Sequence, residues 1–122
     1  MSLMFLKSKL HRATVTDADL NYEGSISIDP KLCEAAKLSK FERVEIYNCN
    51  NGERFATYVI HGKENEVCLN GAAARLAQKG DLVIICSYTY LDEKQVNDHQ
   101  ARLVLLGPGN EVNLCKDDPV LG

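Results

Sequence analysis

The chain has 122 residues, 45% of them hydrophobic and 25% charged, with a formal net charge of −3. That describes one ordinary globular domain, large enough to bury roughly two-thirds of its unfolded surface without disulfides or metal. The acidic balance excludes an overall basic footprint for nucleic acid. An anionic substrate must therefore be drawn by a local cationic cluster, for which Lys9, His11, Arg12 and Arg54 are the candidates.

The five cysteines are odd in number and scattered, with no Cys-x-x-Cys pair. Neither a disulfide framework nor a zinc site follows from that spacing, and buried thiols in a reducing compartment are expected instead. Leu3-Met4-Phe5-Leu6 is too short for a signal-peptide core, and no apolar run approaches the length of a membrane span. Cytoplasm is the expected location, with no membrane partner.

In chain order, residues 4–15 read as extended, with Lys7, Lys9, His11 and Ala13 on one side by the alternation of a strand. Ile26-Ser27-Ile28 is a short strand. Asp29-Pro30 supplies an N-cap followed by proline in the first turn, opening a helix through Ala35-Ala36-Lys37. Val44 and Ile46 alternate with Glu45 and Tyr47, and Asn50-Asn51-Gly52 turns the chain into a strand over residues 54–60. Val67-Cys68-Leu69 leads to Asn70, a candidate N-cap for a helix beginning Gly71-Ala72-Ala73. Residues 82–86 form an unbroken apolar run suited to a strand buried on both faces. Residues 92–97 suggest one helical turn, residues 101–106 and 111–115 two further strands, and residues 116–122 a loose tail. Many short strands with two or three brief helices predict a mainly β fold, a small barrel, in one domain spanning residues 1–122.

Tyr22-Glu23-Gly24-Ser25 carries the chemistry. A bare serine is a poor nucleophile unless a neighbour activates it or the backbone beside it is strained. Gly24 has no Cβ, so it can reach positive φ and admit close approach to its carbonyl. A Gly-Ser bond so placed can rearrange, with the Ser25 hydroxyl attacking the Gly24 carbonyl. Taken alone, the same residues also fit an ordinary turn before a strand.

Lys9-Leu10-His11-Arg12, Tyr22-Glu23-Gly24-Ser25, the run from Asn51 to Tyr58, and Asn70-Gly71-Ala72-Ala73-Ala74 together resemble the pyruvoyl-dependent aspartate decarboxylase family. The likeness runs in order from about residue 4 to residue 106. It implies a double-psi β-barrel, a homotetramer with active sites between neighbouring subunits, and self-cleavage between Gly24 and Ser25. Residues 1–24 would become a β-chain, and residues 25–122 an α-chain opening with a pyruvoyl group made from Ser25. That group would be the only cofactor, with neither metal nor pyridoxal phosphate. L-aspartate would bind to it as a Schiff base and leave as β-alanine and carbon dioxide, feeding pantothenate and coenzyme A synthesis.

The same resemblance implies roles for particular residues. Arg54 would clamp a substrate carboxylate, since a guanidinium fork matches that group, and Lys9 would add positive charge near the second. Tyr58 would return a proton to the carbanion. Thr57 would steady the oxyanion of the rearranging Gly24 carbonyl and later contact substrate. Gly71, Ala72 and Ala73 would form the substrate loop, supported by His11, Tyr22, Tyr47 and Asn70. Position 47 is tyrosine where many family members carry tryptophan, which keeps an aromatic wall. On a regular strand Thr57 and Tyr58 face opposite sides while Arg54 and Tyr58 share one. The strand is therefore expected to carry a bulge, or the two residues to serve sites in different subunits.

Two other functions fit the sequence less well: a non-catalytic β-barrel that binds a protein or ligand, and a pyruvoyl decarboxylase of another amino acid. A need for a maturation partner is not legible in the residues.

Overall fold

The computed structural model describes all 122 residues as nine strands, one α-helix and three short 3-10 turns. The strands are β1 (Ser2–Thr14), β2 (Asp17–Asp19), β3 (Ser25–Ile28), β4 (Arg43–Asn48), β5 (Arg54–His61), β6 (Val67–Asn70), β7 (Leu82–Asp92), β8 (Gln100–Leu106) and β9 (Val112–Pro119). Their hydrogen-bonded order is β2-β6-β3-β5-β4-β7-β1-β8-β9.

That order forces curvature. Six inter-strand gaps separate β2 from β1, which in a flat sheet would be about 29 Å. Only Val15 and Thr16 join the two strands, and that link spans at most about 11 Å. The sheet must therefore curl on itself, and the Thr16 amide donating to the Val67 carbonyl at 2.8 Å ties the two ends together. The enclosed core is one cluster of 19 buried residues, among them Leu10, Ile26, Ile28, Ile46, Leu69, Val83 and Ile85. A mainly β, small-barrel architecture with few helices is what the sequence predicts.

α1 (Pro30–Ala36) forms for the reasons its sequence gives. The Asp29 carboxylate accepts from the Lys31 amide at 2.8 Å, proline occupies the first turn, and Lys37 ends the helix in the left-handed region. Asp29 also accepts from the Asn65 amide at 2.7 Å, so one buried carboxylate pins two segments.

Three expectations are corrected. β1 does not alternate regularly, because its pairing with β7 shifts between Leu6 and Ser8 and again between Leu10 and Ala13. The second shift holds Arg12 at φ 63° and moves Ala13 to the buried face of Leu10, away from Lys9 and His11. The first frees Lys7 to bond the Lys37 carbonyl and the Glu42 carboxylate. β7 continues to Asp92 rather than ending at Cys86, paired throughout with β1. Residues 116–119 are not loose but belong to β9, an exposed edge strand paired to β8. Most of the cysteines are buried, as expected: Cys33, Cys68 and Cys86 lie inside, and Cys49 and Cys115 are exposed.

Candidate active site

Ser25 opens β3 between β5 and β6 and is almost fully buried. Its hydroxyl donates to the Glu23 carbonyl at 3.1 Å and accepts from the Asn70 side-chain amide at 3.0 Å. The same amide donates to the Ser27 hydroxyl at 2.9 Å. Asn70 is therefore not the N-cap its position suggests. Its side chain makes no capping bond, and residues Gly71–Arg75 form a single 3-10 turn rather than an α-helix. The polar end of Asn70 is spent on Ser25 instead.

The backbone freedom expected of Gly24 falls on Gly71. Gly24 is not in the left-handed region, and a Cβ there would meet open space. Gly71 sits at φ 66°, and a Cβ on it would lie 2.7 Å from the Gly24 Cα and amide nitrogen. Only glycine lets the Gly71 backbone press against Gly24 in this way.

Two clefts, each of about 290 Å³, meet at the Gly24–Ser25 bond. Ser25 lines one with Tyr22, Phe41, Tyr58, Ile60 and His61. Gly24 lines the other with Thr57, Ala72, Ala73 and Phe55. β5 runs between them without a bulge, since Val44 pairs Thr57 and Arg43 pairs Tyr58 in unbroken register. The bulge is thus excluded. Thr57 and Tyr58 face opposite sides of the strand, Thr57 lining the cleft at Gly24 and Tyr58 the cleft at Ser25.

The cationic residues expected from the sequence lie elsewhere, and the one lysine on the Ser25 cleft is Lys40. Neither Lys9, His11 nor Arg54 lines the two clefts at Gly24–Ser25. Arg54 shares a strand face with Tyr58 but sits four residues away, about 13 Å along β5. Its guanidinium stacks on Tyr47, 4.4 Å from the ring centroid, so the aromatic wall expected at position 47 is present. The Tyr47 and Tyr88 hydroxyls are 2.6 Å apart. Burial, then the Tyr47 hydrogen bond, holds the Tyr88 hydroxyl above its ordinary pKa. Lys9 pairs across to Cys86, which pairs to Glu45, placing all three on that same outer face. His11 follows at the β1 bulge with its Nδ1 buried and unpartnered. Burial, Lys9 and Arg12, in that order, keep its pKa below the usual histidine value.

Two cleft residues escape sequence reasoning. Phe41 is 67% exposed, has φ 73°, and lies 6.2 Å from the Tyr58 ring. His61 ends β5 at the same cleft. The signal available in advance is a phenylalanine set among the polar residues Ser39, Lys40, Glu42 and Arg43.

The family model described as aspartate decarboxylase matches residues 1–113. A Bdellovibrio bacteriovorus protein named aspartate 1-decarboxylase is 59% identical over 112 residues, covering 92% of this chain and 90% of that protein. Proteins of the same name from Syntrophus aciditrophicus and Ralstonia pickettii are 57% and 52% identical, over 92% and 96% of this chain and 98% and 99% of their own lengths. The chain belongs to the aspartate decarboxylase family.

Proposed function

We propose that this protein decarboxylates L-aspartate to β-alanine and carbon dioxide, using a carbonyl group that it makes from its own Ser25. The observation that carries the reading is the buried Ser25 hydroxyl, held between Glu23 and Asn70 beside a glycine pressed against Gly71.

The proposed maturation balances as follows. The Ser25 hydroxyl adds to the Gly24 carbonyl carbon, the Gly24–Ser25 C–N bond breaks, and the freed amine takes the proton. Thr57, lining the cleft at Gly24, donates to the oxygen that gains charge. Loss of the Ser25 Cα proton then expels the Gly24 carboxylate and leaves dehydroalanine. Water adds, ammonia departs, and residue 25 ends as a pyruvoyl group on residues 25–122.

Residue 25 fits that group. It faces a cleft walled by Phe41, Tyr58 and Ile60, and Asn70 bonds the Ser25 oxygen that departs with the Gly24 carboxylate. A pyruvoyl carbonyl supplies the electron sink that loss of carbon dioxide from an α-amino acid requires. Tyr58, in the same cleft, returns a proton to the substrate carbon. Gly71, Ala72 and Ala73 leave room for the substrate beside Gly24. Tyr22 also lines the Ser25 cleft.

Arg54 and Lys9 bind the two carboxylates, with His11 in support, and their absence from the Ser25 clefts is the reason to assign them to a second copy. The outer face carrying Arg54, Tyr47 and Lys9 is then offered to the neighbouring subunit's Ser25, in a homotetramer. The test is an assay of β-alanine release. L-aspartate should turn over, Ser25→Ala should be inactive, and glutamate should be much slower. Faster turnover of glutamate would overturn the substrate assignment.

A further inference from the structure

Asn70 has one amide group and three neighbours that fix which way it points. Its NH2 donates to Ser25 at 3.0 Å and to Ser27 at 2.9 Å, while its oxygen faces the Cys68 thiol, which donates at 3.3 Å. The direction of the first bond follows from chemistry. Ser25 has a single hydroxyl hydrogen and commits it to the Glu23 carbonyl, so towards Asn70 it can only accept. An amide turned over would set its oxygen against the Ser25 oxygen, whose hydrogen is committed to Glu23, and its NH2 against a thiol hydrogen. The Ser27 hydroxyl can donate or accept and suits either orientation. The Cys68 donor therefore selects the useful orientation, and Ser27 anchors the amide in it with a second bond. Both are buried, and neither touches Ser25 through a hydrogen bond of its own. Burial first, then the Glu66, Asp17 and Asp19 carboxylates, raise the Cys68 pKa to about 11, which keeps the thiol protonated as a donor.

We propose that Ser27 and Cys68 are positioning residues for self-cleavage, locking the Asn70 amide so that it holds the Ser25 hydroxyl in place against the Gly24 carbonyl. This rests on the cleavage reading given above. With one partner gone, the amide is free to turn, and the fraction of chains with Ser25 correctly held falls. Cleavage should then slow while the barrel, whose core contains neither residue, stays folded.

The experiment follows chain cleavage by intact mass after expression and timed incubation of wild type, Ser27→Ala, Ser27→Thr, Cys68→Ala and Cys68→Ser, with melting temperature measured in parallel. Loss of one hydrogen bond corresponds to slowing of about tenfold for Ser27→Ala and somewhat less for Cys68→Ala, whose thiol bond is weaker. Ser27→Thr keeps the acceptor and Cys68→Ser keeps the donor, so both should cleave within about threefold of wild type. Cleavage of Ser27→Ala at the wild-type rate would overturn the proposal. So would slowing that Ser27→Thr fails to rescue and that tracks a fall in melting temperature. A wild-type chain that never cleaves would instead overturn the cleavage reading itself, and this proposal with it.

Discussion

At the scale of single residues, Gly71 and Asn70 set the geometry around Gly24 and Ser25. Alanine at position 71 would suffer twice, from a left-handed backbone and from a Cβ 2.7 Å from the Gly24 backbone. Gly71→Ala should lose about 1–2 kcal/mol of stability from the backbone conformation alone. It should also displace Gly24, with melting temperature and cleavage rate reporting the two effects. Alanine at position 24 meets open space and should fold normally. The sequence marks Gly24 as the flexible glycine, yet the demand falls on its neighbour in space. A contact between residues 47 positions apart leaves no trace in local spacing. Ser25, Thr57 and Tyr58 stand out only through four segments resembling one family in order, since Glu23-Gly24-Ser25 alone also fits an ordinary turn. Phe41 and the Ser27–Asn70–Cys68 network were not legible, since each depends on which strands become neighbours. Two substitutions separate the proposed turnover roles from folding. Tyr58→Phe should still cleave its chain but lose roughly 100-fold or more in kcat, as expected for removing a proton donor. Arg54→Lys keeps charge but not the fork, and should raise KM without slowing cleavage.

At the scale of elements, β1 differs most from its sequence pattern. Strand alternation places Lys7, Lys9, His11 and Ala13 together, but two bulges divide them. Bulges are set by the competing needs of both partner strands, β7 and β8, so the pattern within β1 cannot reveal them. α1 and the hairpin at Asn50-Asn51-Gly52 were legible because their signals are contained within a few residues: a cap, a proline, and Gly52 at φ 77°. The bulge at His11 has a consequence for pH. Its folded pKa lies below the ordinary value of 6.5, so the unfolded chain takes up the proton first as pH falls. The stability it contributes is therefore present above about pH 6.5 and is lost as pH drops toward the lower folded value. Melting curves between pH 7.5 and 5 should show that loss, and His11→Gln should flatten it. At the other end of the chain, β9 is exposed along its whole length and adds nothing to the core cluster. Truncation after Glu111 should lower the melting temperature by only a few degrees. It would also leave β8 as a new sheet edge.

At the scale of the whole molecule, a barrel closed by the two-residue link between β1 and β2 brings β3, β5 and β6 side by side. That places Ser25, Tyr58 and Asn70 together from three distant parts of the chain. The curled sheet turns Arg54, Tyr47 and Lys9 outward on another face, so the proposed site is complete only when a second copy supplies them. Dilution to a monomer should then abolish turnover while leaving already cleaved chains cleaved. The central claim is that Ser25 is the source of the catalytic group. It is tested most directly by the intact mass of the freshly purified wild-type protein. Two species are expected, residues 1–24 and residues 25–122, the larger one lighter by one ammonia than a chain beginning with serine. A single uncleaved mass that persists while the protein still turns over aspartate would contradict it.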